Sequence, residues 1–273
     1  MAKAVKIQKV ILIDYDGPLA EKMALDERAM ERLALLSRQG FRIAIITGRT
    51  PANMGECRKA LERHGLAGRA SLFCEHGCVE CIHGRKGWKT LVHREVRSFK
   101  EKEKAMVADA LARTARKNGF EGIMQKNVVS IYFSARNCPL PLKEMQGLIR
   151  EEVERLNKLP GRRTKLTAIA SRIGIEVLPA AGTKTLAAEK FLRRVGRPYS
   201  GFAFGDMSSD RKMARDSKIK FISAKSPREF LQKTEALQGQ LEARRLRLGE
   251  ILAKRRLGRT RPKGFFARLR PRR

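Results

Sequence analysis

Residues 6–19 read K-I-Q-K-V-I-L-I-D-Y-D-G-P-L, an apolar run ended by two aspartates, a glycine and a proline. Val10 to Ile13 is short, continuous and rich in branched side chains. That pattern predicts a strand buried on both faces, as in a parallel sheet. Outward from it, Leu25 to Arg38 places Leu25, Ala29, Leu33 and Leu36 at helical spacing. Gly40 supplies a stop, and Phe41 to Ile46 is a second apolar strand. Pro51 to His64 reads as a helix closed by Gly65, and Ala70 to Cys74 as a third strand. The first 80 residues therefore alternate as an open α/β sheet does. Such sheets bind ligands at the carboxyl ends of their strands, where Asp14, Thr47 and Glu75 fall.

Between Arg94 and Leu178 the texture changes. A charged helix from Ser98 to Asn118 precedes a turn and the alternating run Val128 to Ser134. Pro139 to Leu159 is helical again, and Thr164 to Ala170 and Gly174 to Leu178 are extended. Two helix-strand-strand halves predict a small α+β domain with an antiparallel sheet. The strand and helix alternation then resumes with Thr183 to Arg194, Gly201 to Phe204, Ser209 to Asp216 and Lys218 to Ile222. The expected organisation is a Rossmann-like parallel-sheet α/β core over residues 1–93 and 179–225, an inserted α+β cap over 94–178, and a basic helical tail over 226–273.

Composition excludes several classes. The chain has 273 residues, 42% of them hydrophobic, which is ordinary for a globular protein and unlike a disordered or collagenous chain. No apolar stretch approaches the roughly 18 to 20 residues of a membrane span. Residues 1–9 carry three lysines but no apolar block of signal-peptide length, and five cysteines do not make a disulfide framework. A cytoplasmic location is expected.

The chemistry sits in the strand-end groups. Asp14 and Asp16 are separated by one residue before Gly17, so one carboxylate can point from the strand tip while the other sits across from it. That geometry suits a nucleophile and a general acid, although an Asp- and Gly-rich turn after a strand is also common in structural loops. Thr47 in I-I-T-G-R offers a hydroxyl, Lys184 in G-T-K-T opens a helix, and Asp206 and Asp210 in F-G-D-M-S-S-D follow another strand. Together these can hold a divalent cation and a phosphoryl group. Hard carboxylate oxygens suit magnesium, and the lysine and N–H donors take the remaining negative charge.

In this order the motifs resemble those of the haloacid dehalogenase superfamily of phosphatases, over roughly residues 6–225. The inserted domain is similar to the caps of the branch that holds the Cof-type sugar phosphatases and trehalose-6-phosphate phosphatases. E-H-G-C at 75–78 and E-V-L-P at 176–179 look like the latter, T-G-R at 47–49 like the former. The resemblance implies that Asp14 forms an aspartyl-phosphate and that Asp16 protonates the leaving oxygen and then activates water. It implies Mg2+ held by Asp14, the Asp16 carbonyl and Asp206, with Asp210 supporting the metal shell or Lys184. It also implies that Thr47 and Lys184 bind phosphoryl oxygens. Gly48, Arg49, Arg136 and Glu176 are candidates for substrate contacts, Arg136 reading equally as a solvated turn charge, and the substrate is a small phosphorylated metabolite such as a sugar phosphate. Two departures stand out: Pro18 where the family has threonine, and Ser209 where asparagine is usual. Pro18 removes an N–H and a hydroxyl beside the general acid.

Two further features point elsewhere. Cys74, His76, Cys78, Cys81 and His83 crowd ten residues, but C-x3-C-x2-C is not a paired-knuckle zinc spacing, and buried free thiols are the preferred reading. Lys plus Arg number 60 against 28 for Asp plus Glu, a formal charge of +32. The stretch 240–273 alone holds 13 Lys or Arg against two Glu, with Phe265 and Phe266 among the arginines. A solvated basic face is the preferred reading. The alternative is a weakly catalytic or non-catalytic protein of this fold that binds nucleic acid through its basic surface.

Overall fold

The computed structural model describes residues 7–240 apart from 23, 97, 98, 100, 121, 122, 161–163 and 172. The opening run forms β1 (Gln8–Ile13), whose last four side chains are at most 1% exposed. A small hairpin, β2 (Ala20–Glu21) with β3 (Ala24–Leu25), leads to α1 (Glu27–Arg38). The Asp26 carboxylate caps that helix by accepting the Ala29 N–H at 2.8 Å. Next come β4 (Phe41–Ile46), α2 (Gly55–Arg63) and β5 (Ala70–Cys74). An antiparallel hairpin follows, β6 (Val79–Gly84) and β7 (Gly87–Val92).

The second region holds α3 (Glu101–Lys117), β8 (Met124–Lys126), β9 (Ile131–Ser134), α4 (Leu142–Asn157), β10 (Leu166–Ser171) and β11 (Gly174–Pro179). The chain then returns through α5 (Lys184–Val195), β12 (Tyr199–Gly205), α6 (Ser208–Asp216) and β13 (Lys220–Ser223).

The large sheet has the order β13-β12-β1-β4-β5-β6-β7, and its first five strands are parallel. β1 is central, which is why its branched run has no polar face. Val10, Leu12, Ala44, Ile46 and Phe73 meet Ala187, Ala188, Phe191 and Met213 of α5 and α6 in one core. Each fully buried side chain of the larger kind contributes about 1.5–3 kcal/mol before chain entropy is counted. The mixed α/β architecture is the expected one. The sequence reading did not contain the two hairpins, β2 with β3 and β6 with β7.

The second sheet is antiparallel, in the order β10-β11-β9-β8, with α4 packed on it. The first compact unit runs to Phe230, whose ring stands edge-on to Phe204 at 5.1 Å. Residues 226–230 fall within that first unit. Residues 231–240 fall in a second unit and are helical. The arginine-rich stretch with Phe265 and Phe266 lies outside the described residues. Among the described residues no helix is long and apolar enough to cross a membrane.

Candidate active site

Asp14 follows β1 directly, and its backbone N–H still pairs with the Phe204 carbonyl at 2.9 Å. The strand thus delivers a carboxylate that is only 4% exposed. One oxygen, Oδ1, accepts the Tyr15 N–H at 2.8 Å; the other lies 2.7 Å from Lys184 Nζ. Lys184 stands at the start of α5, which Thr183 caps by accepting the Leu186 N–H at 3.2 Å. The same ammonium donates to Asp210 Oδ1 at 2.7 Å. Asp210 is fully buried, and its Oδ2 accepts the Met207 N–H at 3.1 Å, closing the first turn of α6. Gly205 makes this possible, since a Cβ there would come 2.4 Å from the Asp210 carboxyl.

Burial pushes the Asp14 carboxyl up to about 7; Lys184 works against that rise and Asp210 adds to it. Burial works to lower the Lys184 ammonium, yet its contacts with Asp14 and Asp210 raise it above the usual lysine range. The ligating oxygens of Asp14, Asp206 and Asp210 lie within 4.8 Å of one another. Three hard oxygen donors this close together fit a divalent cation such as magnesium.

Thr47 ends β4 and is fully buried; its N–H pairs with the Phe73 carbonyl and its Oγ1 accepts the Arg49 N–H at 3.1 Å. Gly48 lies under the His76 ring, where a Cβ would meet Nε2 at 2.8 Å. Arg49 Nε donates to both oxygens of Asp16 at 3.0 and 3.1 Å, and its guanidinium sits 4.8 Å from the Tyr15 ring centre. The Asp16 side chain is half exposed. Burial works against the Arg49 charge, and its bonds to Asp16 outweigh it and raise the guanidinium. Asp16 and Arg49 thus form a rim beside the buried Asp14, Lys184 and Asp210.

Glu176 reaches this edge from β11, although it is 100 residues from its partner: its Oε2 lies 2.9 Å from His76 Nε2, and Ser130 Oγ donates to its Oε1. Arg136 does not join the group. Ser130, just before β9, is at the core, and β9 runs away from that point at about 3.3 Å per residue. Arg136 is exposed in the turn beyond its far end, its N–H bonded to Ser134 Oγ at 3.1 Å. Strand direction therefore sets it apart from the strand-end group.

Two residues have a larger part than the sequence reading gave them. Glu75 is fully buried, and its carboxylate accepts the N–H groups of Val128, Val129 and Ser130 at 3.0, 2.8 and 2.9 Å. Burial raises its carboxyl, and those N–H groups offset part of the rise. His76 joins Gly48 to Glu176. Both Glu75 and His76 have left-handed backbone, φ 46° and 55°. The only signal in the sequence was E-H-G itself.

All five cysteines are free, and Cys74, Cys78 and Cys81 are buried. Cys74 and Cys81 Sγ lie 3.8 Å apart, while His83 sits edge-on to Trp88 and His76 faces Glu176. Among the described residues the one group of three or more close metal-ligating side chains is Asp14, Asp206 and Asp210.

A mostly parallel sheet with Asp14, Thr47 and Asp206 just beyond β1, β4 and β12, Lys184 opening α5, and an antiparallel sheet inserted after β7 is a fold shared with solved phosphatases. Trehalose-6-phosphate phosphatase of Aspergillus fumigatus superposes with a TM-score of 0.54 at 20% identity, over 77% of this chain and 77% of that one. A trehalose-6-phosphate phosphatase related protein gives 0.55 at 18% identity, over 85% and 99% of the two chains. N-terminally truncated IMP-nucleotidase of Plasmodium falciparum gives 0.58 at 16%, over 82% and 68%. At such identities the likeness is one of fold. No family model matches the chain, and no curated protein matches it significantly in sequence.

Proposed function

We propose that the chain is a magnesium-dependent phosphoric monoester hydrolase acting on a small phosphorylated metabolite, a sugar phosphate, through an aspartyl-phosphate on Asp14. One observation carries this reading: Lys184 Nζ lies 2.7 Å from both Asp14 and Asp210 in a buried strand-end site that also holds Asp206 and Thr47. Magnesium would be held by Asp14, the Asp16 carbonyl and Asp206, with Asp210 behind them, and would neutralise phosphoryl charge.

Asp14 Oδ attacks phosphorus, and the bond to the leaving oxygen breaks. Asp16 gives that oxygen a proton, then takes one from the water that hydrolyses the acyl-phosphate. Thr47 Oγ1, the Gly48 N–H and Lys184 Nζ receive the transferring oxygens. Arg49 and Glu176 contact the rest of the substrate, and residues 94–178 serve as the cap that excludes water. Five free thiols suit a reducing, cytoplasmic setting.

Phosphate release from an aryl phosphate and a panel of sugar phosphates, with magnesium, tests the reading. Wild type should turn over at least one sugar phosphate, and Asp14→Asn should lose about 1,000-fold or more while keeping its melting temperature. Loss within about tenfold would remove Asp14 as nucleophile. A wild type inert on every ester would overturn the reading.

A further inference from the structure

In a parallel α/β sheet, every helix runs back against its strands, so helix C-termini and strand N-termini share the edge opposite the site. Four helix-to-strand connections reach that edge, together with the start of β1. Each is basic. Arg38 and Arg42 flank the α1–β4 turn, and Arg69 stands before β5. Arg193 and Arg197 flank the end of α5 before β12. Lys218 and Lys220 lead into β13, and Lys9 begins β1. All are exposed, and among the described residues none has an acidic partner. A neighbour on the same edge, Arg215 in the last turn of α6, is by contrast paired with Asp216.

Helix dipoles favour cations in a last turn, which accounts for Arg38, Arg63, Arg193, Arg194 and Arg215. They do not account for Lys9, Arg42, Arg69, Arg197, Lys218 or Lys220, which lie in loops or strand starts. Holding these like charges side by side costs repulsion that only a counter-ion or an anionic partner relieves. The sheet order sets them in a row: Lys218 and Lys220, then Arg197, Lys9, Arg42 and Arg69. Five strands spaced by about 4.8 Å make that row about 19 Å long. Duplex nucleic acid presents about one phosphate charge per 1.7 Å of axis, or roughly eleven over that length.

We propose that this edge of the sheet binds the phosphate backbone of a nucleic acid duplex, without reading sequence and apart from the strand-end site. A row of charges fits a linear polyanion better than a lipid surface, since Ile7 is the one large exposed apolar side chain by this edge among the described residues. The proposal does not rest on the phosphatase reading.

Fluorescence anisotropy of the full chain with a labelled duplex of roughly 20 bp, at about 50 and about 200 mM salt, tests it. The variant Arg42→Gln, Arg193→Gln, Arg197→Gln, Lys220→Gln removes one or two charges from each of three connections. A control with the same charge change, Lys102→Gln, Lys117→Gln, Lys143→Gln, Arg150→Gln, alters exposed sites on α3 and α4. Circular dichroism establishes that both fold. Wild type should bind with a steep salt slope, and the edge variant should lower that slope by about 3–4 while the control moves it by about 1 or less. Equal slopes for the two variants would overturn the assignment, as would no duplex binding by wild type at the lower salt. Tighter partition onto phosphatidylserine vesicles than onto the duplex would overturn it in favour of a membrane.

Discussion

Two sets of buried carboxylates meet near the strand-end edge of the large sheet, and they are satisfied by opposite means. Asp14 and Asp210 face one ammonium, Lys184, at 2.7 Å each. Glu75 faces three backbone N–H groups of the β8–β9 loop, while Glu176 faces His76 and Ser130. A charge-neutralised cluster can exchange its counter-charge for a ligand, because Coulomb attraction has no fixed direction. A carboxylate held by several directed hydrogen bonds fixes geometry instead. The first set has the character of a reaction site; the second ties the antiparallel sheet to the parallel one.

The contrast is broken most severely by Lys184→Met. It leaves Asp14 and Asp210 buried without a counter-charge, so stability should fall by about 3–5 kcal/mol, and turnover should fall by about 1,000-fold. Urea unfolding and phosphate release measure the two losses. A variant as stable as wild type would mean that the carboxylates take up protons instead of needing the lysine. Chelation comes next: excess chelator should stop turnover, magnesium should restore it, and calcium should not, since its looser coordination misplaces an in-line attack. Asp206→Ala should behave like chelated wild type, without the stability loss of Lys184→Met.

Glu75→Gln probes the second set and should show the reverse ratio of effects. An amide in place of the carboxylate can keep the Val129 and Ser130 N–H bonds on one oxygen but turns an NH2 toward Val128. The cost should be about 1–3 kcal/mol, with faster proteolysis at residues 128–130 and a smaller loss of turnover than either change above. The pH dependence has a definite sign. Burial raises this carboxyl in the folded state, so its contribution to stability is complete below the ordinary carboxylate value and is lost as pH rises through the raised one. Glu75→Gln should remove that portion of the pH dependence in unfolding experiments.

What the sequence disclosed follows the same division. Asp14, Thr47, Lys184, Asp206 and Asp210 each sit within a few residues of an apolar run that predicts its own strand or helix, so local pattern was enough to place them. Glu75 meets Val128 across 53 residues, and Glu176 meets His76 across 100. Those pairings depend on how the antiparallel sheet docks and on left-handed φ at two non-glycine residues, neither of which periodicity encodes. The position of Arg136 depends on the same docking: a charge near a strand end is legible, but which end faces the core is not.

The mildest test concerns Pro18, on the loop that carries Asp16. The loop is already closed without an N–H at position 18: Leu19 and Ala20 both donate to the Tyr15 carbonyl, at 3.1 and 3.0 Å, and Gly17 donates to Ala20 at 2.9 Å. Pro18 is buried, and its fixed φ narrows the unfolded chain. Pro18→Thr should therefore lower stability by only about 0.4–1 kcal/mol. The regained N–H and hydroxyl stand beside Asp16, whose proton matters in proportion to the basicity of the leaving oxygen. Turnover of a sugar phosphate should rise about threefold, small against the roughly 100- to 10,000-fold worth of a general acid, while an aryl phosphate should not respond. Equal gains on both substrates would place the effect on phosphoryl binding, and a loss on both would make the proline ring itself the element that holds Asp16 in place.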